Sequence, residues 1–366
     1  MTQGFWANLP KPLIGLSPMD GVTDQAYRFI MKKYGQPDLI MTEFTSAEGI
    51  SHNATKLFKD FLFDESQRPI VAQIFGKDPE AFRSTALILG YLGFDGIDIN
   101  MGCPAKNVQQ NGSGAALIQN PDLAGQLIQA VQAGIQDFAD GKTLDDIPKL
   151  KQKAKKIILE RHQALPTEYQ QRRLLPVSVK TRVGYDQPVT KEWISFLLRF
   201  DLAAISLHGR TLKQMYSGAA DWSEIGLAVQ VRDAKKSPTL IIGNGDIDSV
   251  ESAKQRLEET KVDGWLIGRA TYGNPQILRE LRQWRDQTFY FPKPAILSET
   301  APNSQELAVL HSQIYEKLYP EAIFWPMRKH LAWYIKGMPG AAKLREQLMQ
   351  VESAQEVEDI LKQADI

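Results

Sequence analysis

Eight short apolar runs, at residues 12–18, 38–43, 69–75, 96–100, 176–181, 203–208, 239–243 and 264–268, alternate with longer helix-like segments. Each run is dense in Ile, Val or Leu and carries few interior charges. That is the pattern of parallel strands buried on both faces. The segments between them carry helix-start signals. Thr23 opens one that holds Tyr27, Phe29, Ile30 and Met31. Asp78-Pro79-Glu80 opens another, with proline just inside the start, Asn120-Pro121-Asp122 opens a third, and Asp248 caps a fourth. Eight strands, each followed by a helix, predict an α/β fold of the (β/α)8 TIM-barrel type over residues 1–288. A doubly wound open sheet is the competing architecture.

The polar residues favour the barrel. The strand ends carry Met19-Asp20, Glu43, Gln73, Asn100 with Cys103, Lys180 with Arg182, His208 with Arg210, Asn244 with Asp246, and Gly268-Arg269. In a barrel these ends meet at one mouth, where active sites are built. In an open sheet they spread along an edge. Polar strand ends are also what exposed loops require, so no single residue decides the matter.

After residue 284 the rhythm changes. Residues 289–304 read as a linker, and from 305 to 366 only helical patterns remain, the mark of a small all-α bundle. Arg328, Lys329, Lys336, Lys343 and Arg345 gather there around Trp333 and Tyr334. Basic and aromatic residues together can grip RNA; equally, the aromatics can be bundle core and the charges a solvated face. The connection from Cys103 to Lys180 holds an extra segment at about 140–175, with a lysine-rich run over 149–156. It is expected to be helical with a solvated basic face, the alternative being a contact surface for phosphates.

The strand-end chemistry is specific. Cys103 is the one cysteine in the 366 residues and sits between Gly102 and Pro104 at a strand end, which makes it a candidate acid or nucleophile as well as a candidate small core residue. With one cysteine no internal disulfide forms, so nothing demands an oxidising compartment. Lys180, on the inward end of its strand, needs a partner. It can form a Schiff base, set a positive charge beside a ring that becomes anionic, or pair with a carboxylate such as Glu43. His208 can donate to the same ligand, and the Gln73 amide suits the edge of a heterocycle. Gly243-Asn244-Gly245-Asp246 and Gly268-Arg269 follow strands seven and eight, where barrels often hold a phosphate. No dinucleotide glycine fingerprint and no metal-ligand spacing is present, so no metal is expected. A net charge of +0 argues against nonspecific nucleic-acid coating. The first residues carry no signal-peptide pattern and no run of about 20 apolar residues exists, so a cytoplasmic protein is expected.

Read together, these residues resemble the tRNA-dihydrouridine synthases along almost the whole chain. The matching motifs are Ser17-Pro18-Met19-Asp20-Gly21-Val22-Thr23-Asp24, Gln73-Ile74-Phe75-Gly76 and Asp98-Ile99-Asn100-Met101-Gly102-Cys103-Pro104. They continue with Val179-Lys180-Thr181-Arg182, His208-Gly209-Arg210-Thr211, Gly243-Asn244-Gly245-Asp246-Ile247, Ile267-Gly268-Arg269, Met327-Arg328-Lys329-His330 and Lys336-Gly337. Each motif alone is weak; their order is specific.

The resemblance implies an FMN-bound barrel with a helical domain that helps hold tRNA. It implies that NADPH reduces the flavin, that flavin N5 gives hydride to C6 of a uridine, and that Cys103 protonates C5. Pro18, Met19, Asp20, Gln73, Lys180, His208, Asn244, Gly245, Asp246, Gly268 and Arg269 match flavin-contacting positions. Asn100 and Arg182 match positions facing the uracil or its phosphate, and Arg328 and Lys329 fall to the tRNA. The 140–175 segment is longer than the family's usual connection. Two other functions share parts of this pattern. One is a dihydroorotate-dehydrogenase-like flavoprotein acting on a free pyrimidine; the other is an RNA-binding protein whose barrel has lost its chemistry.

Overall fold

A computed structural model describes residues 3–289 and 302–364. All eight expected strands are present. They are β1 (Leu13–Leu16), β2 (Leu39–Met41), β3 (Ile70–Phe75), β4 (Gly96–Met101), β5 (Val177–Arg182), β6 (Ala204–His208), β7 (Leu240–Asn244) and β8 (Gly264–Ile267). Every neighbouring pair is parallel, and β8 pairs back onto β1, so the sheet closes into a barrel rather than opening into a doubly wound sheet. Two further residues, Thr45–Ser46, pair with the end of β3.

Register explains the polar mouth. Asn100 lies beside Lys180, Arg182 beside His208, and His208 beside Asn244. Gln73 lies beside Asp98, and Asp98 beside Ser178. Side chains two apart on a strand share a face. The inward positions therefore stack in layers, polar toward the strand C-termini. The opposite end is apolar: Leu13, Leu39, Met41, Val71, Ala204, Leu240 and Leu266 form a separate core, plugged by the fully buried Trp6.

Helices cover the outside. Asp78 caps Pro79–Tyr91 by accepting from the Glu80 N–H, and Asn120 caps Pro121–Ala139 by accepting from the Leu123 N–H. Two start signals shift. The first helix is Gln25–Ile30 with Asp24 as its cap, while the Thr23 hydroxyl instead braces the Met19 N–H at 2.9 Å. Ser249, not Asp248, caps Val250–Thr260, because its hydroxyl reaches the Ser252 N–H.

The basic segment forms a helix, Gln152–Ala164, as expected. Much of its charge is used within the protein. Lys155 pairs with Asp145 at 2.5 Å, and Arg161 donates to the Phe58 carbonyl at 2.8 Å. Arg172 donates to the carbonyls of Phe138 and Lys142 and lies over the rings of Tyr91 and Phe138.

The linker expected at 289–304 lies, from 290 to 301, outside the described residues. Beyond it come the helices Ser304–Leu318, Arg328–Tyr334, Ala341–Leu348 and Ala354–Gln363. One continuous apolar cluster runs from the barrel into them. The contact is aromatic. Tyr27 donates to the Thr271 carbonyl at 2.8 Å and sits against His311 and His330, while Trp333 stacks on Tyr272 with ring centroids 3.9 Å apart. Lys329 donates to the Gly21 carbonyl. Burial keeps both histidines neutral: His311 is pushed down to about 3 and His330 well below its ordinary value. Among the described residues no helix is long and apolar enough to cross a membrane.

Candidate active site

A cavity of about 1100 Å³ opens at the C-terminal ends of the strands. Pro18, Met19, Asp20, Gln73, Asn100, Cys103, Lys180, Arg182, His208, Asn244, Gly245, Asp246, Gly268 and Arg269 all line it. The closed register brings these residues together from seven strand ends. Glu43 is not among the lining residues. It sits in the field of Asp24, Arg28, Asp20 and Asp60, and burial, with Asp24 adding to it, raises its carboxyl to about 8.

Cys103 lies in the loop after β4, two residues past the end of the strand. Its N–H donates to Asn100 Oδ1 at 2.9 Å and its carbonyl accepts from the Ala115 N–H at 3.3 Å. Gly114 makes this approach possible: it has φ +61°, and a Cβ there would lie 3.0 Å from the Cys103 carbonyl oxygen and 3.3 Å from its Cβ. The thiol is buried to 8% exposure, and desolvation, aided by Asp20, raises its pKa. It therefore stays protonated at neutral pH, which is what a proton donor requires.

Lys180 and His208 stand on the next two strands, β5 and β6. Lys180 Nζ donates to Asn244 Oδ1 at 3.0 Å, and the carboxylate whose charge it feels is Asp98, not Glu43. Desolvation and then the nearby Arg182 lower Lys180 to about 8, so it is still mostly cationic at neutral pH. His208 is driven down to about 2 by burial and by Lys180, Arg182 and Arg210 around it, so it is neutral. Its Nε2 lies 3.4 Å from Arg210 Nη1. Arginine can only donate, so Nε2 is the acceptor and the proton sits on Nδ1. The inner wall thus offers a lysine, a neutral imidazole and amide groups, a donor-rich set suited to carbonyl oxygens.

The other end of the cavity is charged. Gly245 and Asp246 both have positive φ, +123° and +51°, in a tight turn after β7. A Cβ at Gly245 would meet the Ala220 Cβ at 2.7 Å and the His208 ring at 3.2 Å. The Asp246 carboxylate accepts from Arg210 at 2.6 Å, from Arg269 at 2.9 Å and from the Ala220 N–H at 2.7 Å. Two guanidiniums against one carboxylate leave an excess positive charge beside backbone that only glycine permits. That is the donor set of a phosphate site.

Arg182 is nearly fully buried, and two of its three guanidinium nitrogens are engaged by the protein's own carbonyls. Its Nε donates to the Gly102 carbonyl at 2.7 Å, and its Nη1 to those of Thr211 and Met215 at 3.1 and 3.2 Å. Arg328 lies far along the chain and donates to the carbonyls of Val351 and Gln350 at 2.9 and 3.0 Å. Several residues of the site were not singled out from sequence, three of them polar. Tyr272 and Tyr216 line the cavity, and Asp98 lies buried beneath it. A carboxylate inside an isoleucine-rich strand, two positions before Asn100 and so on the same face, is the signal that marks Asp98.

The barrel and this cavity, set beside known proteins, define an enzyme of the flavin-dependent oxidoreductase class. A family model described as dihydrouridine synthase matches residues 15–139 and 150–366, and the chain belongs to that family. Between the two matched ranges, residues 140–149 lie outside the match. A probable tRNA-dihydrouridine synthase 2 of Bacillus subtilis (strain 168) is 34% identical, over 99% of this chain and 96% of that protein. A probable tRNA-dihydrouridine synthase of Staphylococcus aureus (strain COL) is 33% identical, over 99% and 95%. Among solved structures, morphinone reductase overlays 78% of this chain and 88% of its own, with 11% identity and a TM-score of 0.45.

Proposed function

We propose that this protein reduces the C5–C6 double bond of uridines in tRNA, with FMN as its bound cofactor and NADPH as the electron source. The observation that carries this reading is a buried, protonated thiol on the wall of a cavity whose other groups are donors and cations. The residues fit the flavin. Lys180, His208, Asn244 and Gln73 suit the carbonyl-bearing edge of its ring system, while Gly245, Gly268, Arg269 and the Arg210–Asp246 pair suit its phosphate. Lys180 places a cation where a reduced flavin ring would carry negative charge. Bound there, FMN supplies hydride chemistry. Cys103 supplies the proton, and the resulting thiolate recovers its proton from solvent. Pro18, Met19 and Asp20 wall the same cavity.

A uridine reaches this depth only by leaving its stack, so the target base is flipped. We take 1–288 as the catalytic barrel and 305–366 as the part that holds tRNA, with Lys329 at the seam between them. The whole-length likeness to proteins named for tRNA favours that substrate over a free pyrimidine. The reading places the protein in the cytoplasm with its substrate.

The test begins with the visible spectrum of the purified protein and its bleaching by NADPH without oxygen. It then asks whether unmodified tRNA gains dihydrouridine by mass spectrometry. Flavin bands, bleaching and a tRNA product are expected. A protein that takes up no FMN overturns the reading, and turnover of a free pyrimidine with none of tRNA replaces it with the free-pyrimidine alternative.

A further inference from the structure

Asp98 does not line the cavity, yet the wall that carries Cys103 begins with it. It is fully buried, one step down the inner face of β4 from Asn100. Its Oδ1 accepts from the Ser178 hydroxyl at 2.6 Å and its Oδ2 from Gln73 Nε2 at 2.7 Å. Gln73 Oε1 accepts from Asn100 Nδ2 at 2.9 Å. Asn100 Oδ1 accepts from the N–H groups of Gly102 and Cys103 at 3.1 and 2.9 Å.

The sense of this chain of bonds is fixed from both ends. At one end is a carboxylate oxygen, which accepts. At the other are two backbone N–H groups, which donate. Each amide between them has one donor end and one acceptor end. Turning either amide over sets oxygen against oxygen or N–H against N–H at a buried site, where an unmade hydrogen bond is costly. Asn100 thereby has both oxygen lone pairs occupied and a single N–H left, so toward a ligand it can only donate. Without Asp98, Gln73 Nε2 loses its buried acceptor, and the chain is held from the turn end alone.

We infer that Asp98 is a positioning residue whose buried carboxylate, acting through Gln73 and Asn100, holds the Gly102–Cys103 turn and so fixes the thiol relative to the cavity. Its bearing on turnover rests on the reading of Cys103 as the proton donor. Its bearing on the turn does not.

The single cysteine supplies a readout that needs no turnover: alkylation of the native protein by iodoacetamide reports Cys103 alone. Asp98→Leu keeps the branched shape, at a larger volume, and removes the acceptor. It is expected to raise the alkylation rate about tenfold and to lower dihydrouridine formation on the order of a hundredfold, the scale set by small misplacements of a reacting group. Asp98→Asn should bring alkylation and turnover back most of the way, because its amide oxygen still accepts from Gln73 while the Ser178 hydroxyl turns to accept from its new N–H. Rescue by asparagine alone separates a hydrogen-bond role from mere filling of space. Should Asp98→Leu fail to fold, Asp98→Ala takes its place with the same expected direction. Asn and Leu variants that behave alike, or an acceptor-free variant with wild-type alkylation, would overturn the inference. A Cys103→Ala protein of full activity, with the alkylation contrast intact, would leave the turn's positioning standing and remove the proton-donor reading.

Discussion

Cations gather at two places in this molecule, and the two places use them differently. At the barrel mouth Lys180, Arg182 and Arg210 arrive at strand ends and turn into the cavity wall, while Arg269 lines the same cavity half-exposed. Burial lowers Lys180 to about 8 and Arg182 to about 10. In the C-terminal helices Arg328 and Lys329 donate to backbone carbonyls of the protein itself, while Lys336, Lys343 and Arg345 are exposed. A strand end dictates where its side chain goes. A helix surface does not, and a cation there can serve the fold as readily as a ligand. The contrast makes the mouth the place where single substitutions should stop chemistry, and the helices the place where they should only tune it.

The sharpest test lies at the mouth. Cys103→Ala should lower dihydrouridine formation by roughly a hundred- to ten-thousandfold, the usual worth of a positioned proton donor. FMN content and tRNA affinity, measured by absorbance and by filter binding, should stay near wild type. Equal turnover in the variant removes the thiol from the reaction and blurs the contrast at its strongest point.

Lys180 gives the next effect, and it has a pH signature. Its folded value, about 8, lies below the ordinary lysine value of 10.5. Between those two values the unfolded chain binds more protons than the folded one, so cofactor-free stability should rise with pH across that window. FMN affinity should do the reverse and weaken above about pH 8, as the cation that meets the ring is lost. Lys180→Met should bind FMN roughly ten- to a hundredfold more weakly at neutral pH and show neither trend. Titrations by fluorescence quenching and melts at several pH values check both. A wild-type affinity that is flat across pH 8 would mean the lysine does not meet the ligand.

What could be read in advance follows the same division. The strands were legible because burial on both faces makes each one a continuous apolar run, and the ring of chemistry followed from counting their ends. Cys103, Lys180, His208 and Asn244 reached the cavity for that reason alone. Asp98 was not picked out, although its place two residues before Asn100 on one strand already sets it on the same face; what the sequence does not show is the Gln73 and Ser178 side chains that meet it from the neighbouring strands. The Arg210–Asp246 pair needed two strand ends brought together in space. The shift of a helix cap from Asp248 to Ser249 turned on which side chain could reach one N–H, a matter of local backbone angle. Arg328 was legible as a charge but not as a bond, since the carbonyls of Gln350 and Val351 that receive it come from a turn over twenty residues away.

Arg328 and Lys329 give the smallest effects and divide the helical face itself. Arg328 ties the start of its helix to the turn at 350–351, so Arg328→Ala should lower the melting temperature, through a loss of about 1–3 kcal/mol for hydrogen bonds to a charged donor. Any weakening of tRNA binding should then follow from loosened helices and recover at lower temperature. Lys329 has one backbone partner, the carbonyl of Gly21, and sits where helices and barrel mouth meet. Lys329→Ala should leave stability nearly unchanged, weaken tRNA a few-fold, and reduce the slope of log affinity against log salt by about one, the signature of one lost phosphate contact. Melting curves and salt-dependent binding, run side by side on both variants, separate the two roles. If Arg328→Ala changes the salt slope and not the melt, the arginine reads RNA after all, and the helical face works more like the mouth than its hydrogen bonds imply.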